Sequence, residues 1–171
     1  MKKLLVTGIV TLALAVVPVA SSFAATTTTD TLNVTVSTNC NISGGATRSG
    51  SGGTNALINV SGGAITITCN GAKGYTAKLK SATALTNTTS SSYTIPYYTS
   101  TPPAAGVGAW AAYIGSETSP VAIGGTIKST TGPDASTSGS SVTMNYKVGT
   151  TTTQAAGTYS GTATYEVTVN S

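Results

Sequence analysis

Gly63-Ala64-Ile65-Thr66-Ile67-Thr68-Cys69, followed by Asn70-Gly71, decides the fold of this chain. Ile65, Ile67 and Cys69 alternate with Ala64, Thr66 and Thr68, the two-residue period of a strand with one dry and one wet face. Asn-Gly is a tight-turn dipeptide. Upstream, Leu32, Val34 and Val36 alternate in the same way toward Cys40. Each cysteine closes a strand-like run, so a bond between Cys40 and Cys69 would tie two strands together.

Further toward the N terminus, Met1 to Ala24 reads as a secretion signal. Lys2 and Lys3 form a positive start, Leu4 to Ala20 an apolar run, and Ser22-Phe23-Ala24 a small-x-small cleavage site. The run is short, broken by Pro18 and followed by no stop-transfer pattern, which favours a signal peptide over a transmembrane anchor. The mature chain is expected outside the cytoplasm, where two cysteines read as one disulfide. Closing a loop of this size adds about 3 to 4 kcal/mol in the chain-entropy model. The expected organisation is a signal peptide over 1–24, an N-terminal segment over 25–39 and one β domain over 40–171. Within the segment, Thr26 to Thr29 is polar and without an apolar anchor, and it leads into the alternating stretch Asp30 to Val36.

C-terminal to the decisive stretch the same two-residue period recurs. Tyr75, Ala77 and Leu79 alternate with Thr76, Lys78 and Lys80, and the lysines read as solvated, edge-protecting charges. Ser43 to Asn55 is a glycine-rich loop before a short strand at Ala56 to Val60, and Ser61-Gly62-Gly63 supplies turn chemistry. Ser81 to Ser92 reads as a polar connection and Tyr93 to Tyr98 as a short strand that Pro96 places at an edge. Trp110 to Ile114 and Val121 to Ile127 read as two more strands, and Lys128 to Ser140 as a connection. Val142, Met144, Tyr146 and Val148 share one face of the next strand. Tyr159, Ala163, Tyr165, Val167 and Val169 share one face of the last. No segment after the signal has helical periodicity, so the fold class is all-β, an antiparallel sandwich of short strands.

The composition excludes several functions. There is no histidine among the 171 residues, and the four acids, Asp30, Glu117, Asp134 and Glu166, are widely separated. No triad, Walker loop or Ser-x-x-Lys motif is present, so no catalytic residue is assigned and the chain reads as a non-enzyme. No metal site or cofactor is expected, for want of histidine or a second cysteine pair. The bases Arg48, Lys73, Lys78, Lys80, Lys128 and Lys147 are dispersed, which argues against nucleic acid as a partner. Asn33, Asn41, Asn59 and Asn87 begin Asn-x-Ser/Thr sequons, positions compatible with exposure.

Three stretches carry a resemblance: Leu32 to Cys40, Gly63 to Cys69, and Ala156-Gly157-Thr158-Tyr159-Ser160-Gly161-Thr162 running into Val167-Thr168-Val169. Together they resemble the spore coat protein U family, which includes the Csu-type pilins of archaic chaperone–usher systems. In that family a strand ends at the first cysteine, an isoleucine- or valine-rich strand ends at the second, and an Ala-Gly-Thr-Tyr-like turn leads into the final strand. The chain ends in Asn170-Ser171 where such pilins tend to end in an aromatic, and the stretch from Thr83 to Ser141 carries general β character alone.

The resemblance implies an immunoglobulin-like sandwich lacking one strand, completed first by a periplasmic chaperone and then by an identical or related pilin subunit delivered through an outer-membrane usher. It implies passage through the periplasm to a surface fimbrium serving adhesion or biofilm formation. Leu32, Val34 and Val36 have the spacing a donor strand needs. Alternation alone equally allows Asp30 to Val36 to be the domain's own first strand. The alternative function is a self-complete secreted sandwich that binds a surface glycan or envelope protein, with Trp110, Tyr97, Tyr98 and Tyr113 as candidate contacts. Trp110 in particular reads first as a core residue.

Overall fold

The computed structural model describes residues 31–98, 100, 102–133 and 139–171. The expected signal peptide, Thr26 to Asp30 and Asp134 lie outside them. Two units divide between Thr35 and Val36. In the first, residues 31–35 are described and form no strand. The alternation over Leu32 to Val36 assigns side chains to faces, but a strand also needs a neighbour for its backbone groups.

The second unit is all-β. Its strands are β1 (Cys40–Ser43), β2 (Leu57–Cys69), β3 (Tyr75–Ala82), β4 (Leu85–Asn87), β5 (Thr94–Ile95), β6 (Ala109–Ile114), β7 (Thr126–Ser129), β8 (Ser140–Gly149), β9 (Tyr159–Ser160) and β10 (Ala163–Val169). Every pairing between them is antiparallel. One sheet has the order β1-β2-β8-β6, and it faces a second of order β10-β3-β7. A third, β5-β4-β9, prolongs the second, since β4 follows β3 and β9 precedes β10 in the chain. The antiparallel sandwich expected from the sequence is the fold observed.

The alternating residues build the core as their period dictates. Ile65, Ile67 and Cys69 of β2, Val142 and Met144 of β8 and Ala112 of β6 pack against Tyr75, Ala77 and Leu79 of β3 and Ile127 of β7. Each large apolar side chain so buried contributes about 1.5 to 3 kcal/mol. A second cluster, Ile95, Trp110 and Val148, fills the space beneath the third sheet with Ile58, Val60, Leu85 and Tyr159 around it. Cys40 and Cys69 are bonded and lie directly opposite each other in the β1–β2 register.

Several sequence expectations are corrected. The first domain strand starts at Cys40 and continues to Ser43, where the sequence reading ended it at the cysteine. The strands expected at Ala56 to Val60 and Ala64 to Cys69 are one strand that starts at Leu57, because β8 pairs along both stretches. Ser61 and Gly62 form a bulge between them where a turn was expected. A Cβ on Gly62 would lie 1.0 Å from the Met144 carbonyl oxygen, so the bulge brings backbone against backbone at that position. Val121 to Ile127 is not a strand. Val121 N bonds Ala112 O, Gly124 and Gly125 turn the chain against Leu79, and β7 starts at Thr126. Ser81 to Ser92 contains the short β4. Lys78 and Lys80 lie on a central strand of their sheet, so they protect no edge. Asn87 is buried, with Oδ1 accepting from Thr89 N and Ser90 N and Nδ2 donating to Ala156 O, so its sequon is not exposed.

Candidate functional site

The two long edges of the sandwich are finished differently. At one, β5 pairs with β4 in the third sheet and the chain then crosses to the first. Tyr97 bridges Trp110 of β6, Trp110 N donates to Pro96 O, and Tyr98 N donates to Trp110 O. The Tyr97 hydroxyl donates to Val121 O and accepts from Ala112 N. Pro96, which has no N–H to give, fits this marginal position. The backbone of Tyr97 and Tyr98 thus closes the first sheet at this edge, while β7 of the second is bonded to β3 alone among the described residues.

At the other edge β1 and β10 are neighbours from opposite sheets, each bonded to a strand on one side alone among the described residues. The inner faces record the difference. Tyr75, Ala77 and Leu79 on β3 are fully buried, whereas Ala163, Tyr165 and Val167 on β10 are half-buried and Val169 is 42 % exposed. Ile42 on β1 is also half-buried. The edge thus combines two strands that each have an unpaired side among the described residues with an apolar lining that the sandwich covers only in part.

No protein-family model, curated protein or solved structure matches this chain. The functional reading therefore rests on the residues and their geometry.

Behind the open edge, the hydroxyls of Tyr146 and Tyr165 lie 3.0 Å apart and connect β8 in the first sheet to β10 in the second. Burial, reinforced by that hydrogen bond and by neighbouring phenols, holds the Tyr165 phenol far above its ordinary value of 10.0. On the outer face of the second sheet, Lys80 and Glu166 form an ion pair at 3.2 Å. The side chains are 59 and 38 % exposed, so solvent screens the pair and it adds at most about 1 kcal/mol.

The sequence-predicted contact residues fall in different places. The donor candidates Leu32, Val34 and Val36 are 86, 74 and 78 % exposed. Trp110 is buried with its indole N–H donated to Thr83 O, and Tyr97 packs against it edge-on with ring centroids 4.7 Å apart. Trp110 is thus held in the core, whereas Tyr97 is half-buried. Tyr98 is 44 % exposed. Tyr113 lines a cavity of about 320 Å³ with Asn59, Ser61, Glu117, Asn145 and Lys147, and none of the other three aromatics reaches it. The Lys147 ammonium sits 4.5 Å from the Tyr113 ring centroid, and the buried Tyr113 hydroxyl has no hydrogen-bond partner. Among the described residues no cluster of His, Cys, Asp or Glu is arranged to hold a metal, and no helix is long and apolar enough to cross a membrane. The sequence reading placed β10 as a strand but not as an edge, because the identity of a strand's neighbours is not written in its own alternation.

Proposed function

We propose that this chain is a structural subunit of a surface fibre, assembled when the N-terminal segment of one copy completes the sandwich of the next. The observation that carries the proposal is the half-buried apolar inner face of β10 beside β1, at an edge where neither strand has a second partner among the described residues. An extended donor would satisfy the unpaired backbone groups and place alternate side chains over Ile42, Tyr165 and Val167. Leu32, Val34 and Val36 supply such a donor, being apolar at every second position and exposed. In this reading a chaperone covers the edge during passage through the periplasm, an usher delivers the subunit to the cell surface, and the fibre serves adhesion or biofilm formation.

Peptide complementation tests the reading. A subunit lacking residues 26–36 should gain thermal stability on adding a peptide of residues 26–36, with the concentration dependence of a native-state ligand. The same peptide carrying Val34→Asp should give no shift, and equal shifts from both peptides would refute the assignment of the donor.

The rival reading, a self-complete sandwich that binds a glycan, draws its support from the cavity beside Tyr113, where an unbonded phenol hydroxyl lies among amide, hydroxyl and charged groups. Retention on a glycan column that Tyr113→Phe abolishes would favour it.

A further inference from the structure

The pairing of β1 with β2 does not stop at the disulfide. Asn70 N donates to Asn39 O at 3.1 Å, Asn70 Oδ1 accepts from Asn39 N at 2.6 Å, and Asn70 Nδ2 donates to Ser37 O at 3.0 Å. In extended backbone the polar groups of residues two apart point to the same edge. Bonds to Asn39 and Ser37 from one partner therefore carry the line of β1 past Cys40, with the Asn70 amide standing in for a second backbone unit. None of Ser37, Thr38 and Asn39 has a positive φ, whereas the commonest two- and three-residue hairpin loops require one.

This arrangement bears on where the exposed segment ahead of it can go. β1 is itself one wall of the open edge, so a segment entering the edge of its own subunit must reverse direction within residues 37–39. Resting on the fibre reading above, we propose that Asn70 is a positioning residue that holds residues 37–39 extended. It thereby keeps Leu32 to Val36 from closing on their own subunit and reserves them for a second copy of this chain. Reversal would break both side-chain bonds from Asn70 at once.

The test compares surface-sheared material, heated and unheated on gels, from cells making the intact chain, Asn70→Ala, Asn70→Asp, or a chain with two glycines inserted between Ser37 and Thr38. The intact chain should give a heat-sensitive ladder. Asn70→Ala and the insertion should raise the ratio of folded monomer to ladder about tenfold, the size expected from losing one to two modest hydrogen bonds. Asn70→Asp, which keeps the acceptor and loses the donor, should fall between. The insertion leaves Asn70 in place and decides the matter if Asn70→Ala does not fold. Deleting residues 31–36 from the Asn70→Ala monomer should lower its melting temperature, because in that monomer the segment has closed on its own edge. Ladders of equal strength in all four chains, or no melting change on that deletion, would overturn the role of Asn70 and leave the fibre reading standing. Absence of a ladder from the intact chain would instead remove the fibre reading itself.

Discussion

The hydroxyls of Tyr146 and Tyr165, 3.0 Å apart, form a hydrogen bond that ties the two facing sheets together beside the edge where β10 has no outer partner among the described residues. Tyr165→Phe should lower stability by about 1 kcal/mol, and Tyr146→Phe by a similar amount, since each strands the other hydroxyl partly out of water. The double substitution should cost less than the sum. Urea midpoints read by Trp110 fluorescence would measure this coupling.

Tyr165 makes stability sensitive to alkali. Burial raises the folded-state phenol of Tyr165 above the ordinary 10.0, so above about pH 10 the unfolded chain releases a proton that the folded chain keeps. Stability is therefore full below that pH and falls as pH rises through it. Tyr97 and Tyr113 are shifted the same way, chiefly by burial, and add to the fall. Melting curves between pH 8 and 11 should show it, with a shallower slope for Tyr165→Phe.

The disulfide closes a loop with a sequence separation of 29 and staples the short β1 to β2. Replacing both cysteines with alanine should cost about 3 to 4 kcal/mol from the unfolded-chain term. A further loss comes from the core position of Cys69. Denaturant titration of oxidised and Cys40→Ala/Cys69→Ala proteins gives the difference directly.

Gly62→Ala should be among the most damaging single changes, because its Cβ would lie 1.0 Å from the Met144 carbonyl oxygen. The bulge would have to shift, and with it the β2–β8 register on one side. Gly45→Ala, whose Cβ would meet nothing within 4 Å, is the matched control and should leave the melting temperature nearly unchanged.

Strands with a strict apolar face were legible in the sequence. β3 and β8 appear where Tyr75, Ala77, Leu79 and Val142, Met144, Tyr146, Val148 alternate, because burial against a facing sheet selects that pattern. Features that depend on distant partners were not legible. Ser61-Gly62 has the composition of a turn and serves as a bulge because β8 is long enough to pair on both sides of it. Val121 and Ile127 are both buried, but the chain between them turns at Gly124-Gly125 and leaves Ile123 exposed. β4 is a three-residue strand that exists because β5 and β9 flank it. The open edge follows from which strands end up as neighbours. The Asn70 clamp, in turn, was visible in the sequence only as half of a turn dipeptide.

The central claim is that residues 31–36 of one copy complete the sandwich of another. Gel electrophoresis of surface-sheared material, unheated and heated, from the intact chain and from a chain lacking residues 31–36 tests it most directly. The account predicts a ladder of regularly spaced bands that collapses to monomer on heating and is absent from the deletion. A single monomer band from the intact chain under both conditions, or an unchanged ladder from the deletion, would contradict it.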